Sequence, residues 1–472
     1  MATILVLGAG MNGLSLAMLL ARDGHEVTVL ERDATEPVDD PEAAWNGWER
    51  RGVGQFRMLH IMLPRWRSEI EAELPEVLTM LEARGGLRFN ALTSLPAEFT
   101  GGFRPGDERF DTVTARRPVL EGAVAAVARR MPGLRIRRGV AVSGLTTNDH
   151  GRPGIPQVTG VVTEHDGTVA ADLVVDASGR RSALPAWLEA IDARQPTVER
   201  DDSGFAYYGR HFRSADGSVP PCKNKILTHH DSLSILTLPA DNGTWGVGFV
   251  TSASDKELRS LRDTATWERA LAEYPMAAHW MDGEPISDGV AIMAAIEDRY
   301  RSYVVDGDPV VTGVVAVGDA WSCTNPSLGR GTSIGILHAK ALRDVLREID
   351  TADHQLVVRR FDELTRNEIE PWYRRTLSFD RHRRAEIEAD IAGHPYQTDD
   401  PGWQVTKAWT VASAVDGEVY RTYAPLLALQ STPEAELAAP GLFDRIIAAS
   451  AGLPQYPDPG PDRAALLQAI AA

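Results

Sequence analysis

The sequence predicts an α/β fold: a nucleotide-binding domain on a buried parallel sheet, a mixed α/β insertion, and a helical C-terminal region. Three observations predict it. The chain opens on a buried strand, a glycine turn spaced G-x-G-x-x-G, and a helix. A second strand–glycine loop–helix unit, VVAVGDAWSCTNPSLGRGTSIG, stands at residues 314–335. Between them, from about residue 200 to 300, the pattern changes to alternating strands with a hairpin signal.

The opening unit carries the most chemistry. Ile4 to Leu7 is an apolar run of strand length. Gly8, Gly10 and Gly13 follow, and Leu14 to Ala21 has helical periodicity. Glu26 to Leu30 reads as a second strand and ends on Glu31. Strand, glycine turn, helix, strand and acid together form the dinucleotide-binding fingerprint of a Rossmann-like domain. The first glycine permits the tight turn, the second admits a pyrophosphate, and the third lets helix and strand pack closely. The helix N-terminus offers unpaired N–H groups to the phosphates. Met11 and Asn12 within the turn, and Arg32 beside the acid, are candidate cofactor contacts, with Glu31 placed to accept from a ribose. NAD and FAD both fit this fingerprint.

The next elements follow in order. Residues 35–57 read as an irregular loop ending in GVGQFRMLH, and His60 to about Arg84 has helical spacing. Phe89 to Val113 holds short β-like pieces with Gly-Gly and Pro-Gly turns. Arg117 to Arg130 reads as a helix with Pro118 in its first turn. Leu134 to Leu145, Val158 to Val162 and the apolar part of ADLVVDASGRRSALPAW read as strands. SLSILTLP and TWGVGFVT, joined by Ala-Asp-Asn-Gly, form a hairpin, and Asp263 to Tyr274 a helix. From about 340 to 390 the pattern is helical and charged, with Arg374 to Asp390 read as a solvated face. The remainder is helical, interrupted by LPQYPDPGPD. The expected division is 1–88, 112–195 and 300–345 for the nucleotide domain, 89–111 and 196–299 for a substrate domain, and 346–472 for the C-terminal helices.

Composition excludes several classes. The 472 residues suggest more than one structural unit. The formal net charge of −17 argues against nucleic acid and anionic membranes, which want basic patches. It also argues against a highly anionic substrate, unless local arginines override it. Cys222 and Cys323, the only cysteines, read as reduced thiols of a cytoplasmic protein. No signal peptide and no membrane-spanning run is read. His229, His230 and Asp231 are adjacent on a β-like segment, where neighbours face opposite ways, so no metal site is expected.

The second glycine unit selects the nucleotide. Its strand delivers Gly318 and Asp319 to a carboxyl end, where ligands sit in α/β sheets. Pro326 stiffens the loop, and Gly329 and Gly331 precede a helix start, an arrangement suited to an anion. Its natural ligand is the edge of a flavin that becomes negative on reduction. GxGxxG at the start and GD followed by P-x-x-G-x-G together resemble FAD-dependent monooxygenases of the para-hydroxybenzoate hydroxylase fold, over roughly residues 1–395. GVGQFRMLH, DASGRRSALPAWLEA and GDAWSCTNPSLGRGTSIGILHA look like a bacterial branch that contains polyketide epoxidases.

The resemblance implies FAD, with Gly8, Gly10 and Gly13 at its pyrophosphate and Glu31 at its ribose. It implies Arg117 near the phosphates or flavin side chain, Val142 at the adenine, Ala177 on the cofactor, and Asp319 on the ribityl chain. Pro326, Gly331, Thr332 and Ser333 would line the flavin ring, and Gln55, Arg57 and His60 would approach it. The implied reaction passes one oxygen atom from a flavin C4a-hydroperoxide to an alkene or electron-rich ring, in bacterial secondary metabolism. The implied partners are dioxygen, a small apolar substrate, and NAD(P)H used directly or through a flavin reductase. Such chemistry needs no side-chain acid or base, so none is assigned. Tyr207, Tyr208, Trp245 and Phe249 are candidate pocket residues.

Departures mark the limits of the likeness. The family's GADG-like turn reads Asp176-Ala177-Ser178-Gly179, which puts direct NADPH use in doubt, and only one dinucleotide fingerprint is present. Ser322 stands where a histidine is usual, and Ser333 where an asparagine is. The halogenase motif W-x-W-x-I-P is absent; WNGWER matches it only superficially. A reductase of prenyl-type double bonds, a halogenase, and a non-catalytic flavin-binding protein are the alternatives.

Overall fold

A computed structural model describes residues 1–471. Five parallel strands form the central sheet, in the order Val314–Ala316, Leu173–Asp176, Thr3–Leu7, Glu26–Glu31, Leu134–Arg138. Their near-continuous apolar sequences suit strands covered on both faces. Side chains alternate across the sheet. Ile4, Val6, Val27 and Val29 pack under the helices Met11–Arg22, Arg117–Ala128 and Gly331–Glu348. Leu5, Leu7, Leu30 and Val174 face a three-stranded antiparallel sheet, Val142–Arg152, Ile155–Thr163 and Gly167–Ala170.

A six-stranded sheet forms the second unit. Phe205–Arg213, Leu233–Pro239 and Thr244–Ser252 are its long strands, and the last two are paired antiparallel. Their turn holds Asn242 and Gly243 at φ of 51° and 65°, the positive values that a type I′ hairpin requires. The outer face packs on the helices Thr264–Ala272 and Arg463–Ala471. The inner face carries Tyr207, Leu236, Leu238 and Val250.

Several boundaries differ from the sequence reading. The expected strand Leu134–Leu145 is two strands, ending at Arg138 and restarting at Val142, with Gly139 at φ 72° between. The helical stretch after His60 is two helices, Pro64–Glu73 and Pro75–Ala83, because Pro75 cannot continue the first. The supposed loop 35–57 contains a helix, Pro41–Gly47, capped by the Asp40 carboxylate on the Ala43 N–H. The segment Arg374–Asp390 is not a solvated face. Asp380, Arg383 and Glu386 are buried there. Arg383 donates to the carbonyls of His230 and Leu233 and to the Tyr456 hydroxyl. Among the described residues no helix is long and apolar enough to cross a membrane.

Candidate active site

The carboxyl ends of the parallel strands open into one continuous cleft of about 1940 Å³. That exceeds the space a single small ligand usually occupies, roughly 300–1,000 Å³. Many of the residues singled out in the sequence lie together on its floor. Gly8, Gly10, Met11, Asn12, Gly13, Glu31, Arg32, Arg117, Val142 and Ala177 line one arm. Gly318, Asp319, Pro326, Gly329, Gly331 and Thr332 line its continuation. Gln55 and His60 also face the cleft.

The turn has the geometry its spacing demands. Gly8 sits at φ 106°, and a methyl on it would stand 2.7 Å from the Ala177 carbonyl oxygen. A Cβ on Gly10 meets no atom within 4 Å, so that position opens onto the cleft rather than onto protein. Asn12 lies against Gly318 and Gly335, tying the first helix to the downstream loop. Gly329 donates its N–H to the Pro326 carbonyl at 2.9 Å, closing the loop on itself just before the helix Gly331–Glu348. The Gly329 N–H expected to face an anion is therefore already engaged.

Glu31 and Arg117 are linked by residues the sequence reading missed. Glu31 accepts from the Ala9 N–H at 2.8 Å and pairs with Arg50 at 3.0 Å. Arg50 also pairs with Glu121 at 2.8 Å, and Glu121 with Arg117 at 2.7 Å. Arg117 reaches the His60 Nε2 at 3.2 Å, while Nδ1 of His60 bonds the Met58 carbonyl. Burial first, then the Arg117 charge, depresses His60 to about 3, so the ring is neutral and its Nε2 accepts from Arg117. Alternating charges thus run along the cleft floor, each compensated by the next. The signal available in sequence was Glu121, four residues after Arg117 on one helix.

Five expected contacts are corrected. Arg57 does not line the cleft; its guanidinium donates to the carbonyls of Trp45 and Trp48 and staples the loop. Ser333 is fully buried, and its hydroxyl has no partner among the described residues. Tyr208, Trp245 and Phe249 lie on the outer face of the six-stranded sheet, in the core, where Trp245 donates to the Trp280 carbonyl. Only Tyr207 points into the cleft. Strand alternation puts neighbours on opposite faces, and both faces of the strand Phe205–Arg213 are buried, so the parity was not visible in the sequence.

Asp176 is fully buried and accepts from the N–H and hydroxyl of Ser178 and from the Ser182 hydroxyl. It shapes the turn and does not line the cleft. His229 bonds Ser234 while His230 packs, tilted, against Tyr274, so the two rings part. Cys222 and Cys323 are free and buried.

The far wall comes from the C-terminal helices and, at Tyr456, from the loop before the last of them. Trp403, Trp409, Tyr420, Tyr423 and Tyr456 face Tyr207, Leu236 and Leu238 across an aromatic chamber. Behind Tyr207 a polar chain runs inward. The Tyr207 hydroxyl donates to Asn325 Oδ1, and Asn325 Nδ2 donates to Asp380 Oδ1 at 3.1 Å. Among the described residues Asp380 Oδ2 meets no donor. Burial first, then the nearby Asp298, lifts the Asp380 carboxyl to about 8 from 3.8, so it is protonated at neutral pH. In that range the folded chain holds a proton that the unfolded chain has released, so stability falls as pH rises from about 4 to about 8. Asp380→Asn, which mimics the protonated acid, should therefore gain on the wild type as pH rises. Melting curves from pH 5 to 9 read this, and parallel curves would refute it.

Comparison with known proteins places the chain. The profile of the NAD(P)-binding Rossmann-like domain matches residues 6–35. Protein Rv3254 of Mycobacterium tuberculosis is 30% identical over 377 residues, 74% of this chain and 73% of its own length. The FAD-dependent monooxygenase atnJ of an Arthrinium species is 23% identical, over 77% of this chain and 80% of its own. PqsL of Pseudomonas aeruginosa, described as a probable FAD-dependent monooxygenase, superposes with a TM-score of 0.60 at 18% identity. That superposition covers 82% of this chain and 96% of PqsL. The parallel sheet, the glycine turn and the GD loop on one cleft, together with these relatives, make this chain a member of the FAD-dependent monooxygenase family with the para-hydroxybenzoate hydroxylase fold.

Proposed function

We propose that the protein transfers one atom of dioxygen to an alkene or electron-rich ring held in the aromatic chamber, by epoxidation or hydroxylation. The observation that carries this reading is that a single cleft joins the glycine turn to the chamber. The residues present fit FAD. Gly10 leaves open space where a pyrophosphate would approach, and the Asp319 side chain faces the cleft. Gly8, Gly10, Gly13 and Asn12 would hold the phosphates, Val142 and Ala177 the adenosine half, and Asp319 the ribityl chain. Pro326, Gly331 and Thr332 would border the flavin ring. Bound and reduced, FAD supplies the activation of dioxygen. The chain's own part is to orient the substrate between Tyr207, Leu236, Leu238 and the C-terminal aromatics, and to keep water from the reacting atoms.

Electrons come from NAD(P)H. The Asp176 carboxylate is spent on Ser178 and Ser182, which favours delivery through a separate flavin reductase over a standing NADPH site here. The test incubates the FAD-loaded protein with a reductase, NADPH, labelled dioxygen and a panel of polyenes and aromatic acids. One labelled oxygen atom per product molecule is expected. Product oxygen drawn from water would refute this reading, and turnover without oxygen would instead favour the reductase reading.

A further inference from the structure

Two cations in the chamber have no anionic partner. Lys225 lies on the cleft wall beside the strand Leu227–His229. Its ammonium donates to the Ser413 hydroxyl at 2.7 Å and the Thr410 carbonyl at 3.3 Å, which leaves one N–H unspent. It sits 5.7 Å from the Tyr420 ring centroid and 6.0 Å from that of Tyr423. Arg330 also lines the cleft, makes one hydrogen bond, to the Thr376 hydroxyl at 3.0 Å, and lies within electrostatic reach of the Tyr423 hydroxyl. Neither is ion-paired among the described residues, whereas Arg375 on the same wall pairs with Glu434. Both are half-buried, and a cation partly withdrawn from water without a counter-charge is costly.

Two acids are near. Asp458 lies within electrostatic reach of Lys225 without pairing to it. Asp380, behind Arg330, is neutral at pH 7. Burial lowers Lys225 to about 8, which still leaves it mostly charged at neutral pH.

We propose that the chamber recognises an organic acid: an apolar body bearing one anionic oxygen, carboxylate or ionised enol, seated between Lys225 and Arg330 over Tyr420 and Tyr423. This rests on the reading of the chamber as the substrate site, and it narrows the substrate from an apolar molecule to an amphiphilic one. The net charge of the whole chain does not oppose it, because the local field at the site is set by these two cations. The alternative role for Lys225 is mechanical: it tethers the helix Pro401–Val415 to the sheet edge.

The experiment separates these roles. Calorimetric titration of the FAD-loaded protein uses two matched pairs, 2-naphthoate against its methyl ester and 4-hydroxycoumarin against 4-methoxycoumarin. The charged member of at least one pair should bind about ten-fold tighter or more, and the pair that discriminates identifies the oxygen. Lys225→Met, and separately Arg330→Met, should erase that preference while the neutral members bind as before. Lys225→Gln replaces the first variant if it is insoluble. Equal affinity within both pairs, no binding of any probe, or variants that weaken both members alike would overturn the proposal. Binding is read without turnover, so its failure leaves oxygen transfer untouched, and a preference found without labelled product would indict the reaction alone.

Discussion

Gly10→Ala is expected to yield a stable protein that holds FAD more weakly, and Gly13→Ala an unstable one. The two positions lie in one turn and differ in what a methyl group meets. At Gly13 it would stand 2.2 Å from the Gly8 carbonyl oxygen, backbone against backbone. The helix cannot yield, because Leu14, Leu16 and Met18 are packed in the core. A loss of about 3 kcal/mol or more follows from that overlap. At Gly10 the backbone is extended, with φ −80° and ψ 176°, which any residue adopts, and no atom lies within 4 Å. Apoprotein stability should move by less than about 0.5 kcal/mol. FAD affinity should fall about 10- to 100-fold, the equivalent of about 1.5–3 kcal/mol of hydrogen bonding to a charged group. Apoprotein melting and FAD titration of both variants check this. Wild-type FAD affinity in Gly10→Ala would mean that the pyrophosphate does not lie on this turn.

Arg116→Met should cost about 3–5 kcal/mol in chemical denaturation, the usual penalty for stranding one member of a buried ion pair. The side chains of Arg116 and Asp241 are both fully buried and meet at 2.6 Å. Asp241 also accepts from the Arg116 backbone N–H at 2.7 Å, and Glu42 accepts from the same Nη2 of the guanidinium. With the cation gone, the Asp241 carboxylate is left in an apolar setting, held only by the Arg116 N–H and Asn242. Changing both residues together, Arg116→Met with Asp241→Asn, should cost less than the sum of the single changes. A loss below about 1 kcal/mol for Arg116→Met would show that water reaches the carboxylate.

What the sequence revealed was local. The strand, glycine turn and helix of residues 3–22 are read from adjacent residues, and so is the Asn242-Gly243 hairpin. The floor of the cleft was legible for the same reason: each glycine loop carries its own chemistry. The chamber was not. Its wall joins Tyr207 and Leu236 to Trp409 and Tyr423, which no short-range pattern connects. Strand parity failed at FAYYGRHFR because nearly every residue of that strand is buried, leaving no polar face to mark solvent. Nothing local in the sequence links Arg116 to Asp241; they meet because the hairpin turn lies against the start of the helix Arg117–Ala128.

The strand order has a consequence for how the protein is made. Val314–Ala316 pairs with Leu173–Asp176, and the entire six-stranded sheet is synthesised between them. A chain leaving the ribosome therefore exposes its glycine turn long before the GD loop exists. The two arms of the cleft meet only when this late edge strand closes a large loop, a step whose entropy slows folding. The aromatic wall follows later still. A ligand that grips both arms can bind only after that closure, so an adequate flavin supply should draw the newborn chain through it by mass action, and flavin starvation should leave nascent protein open to aggregation and proteolysis.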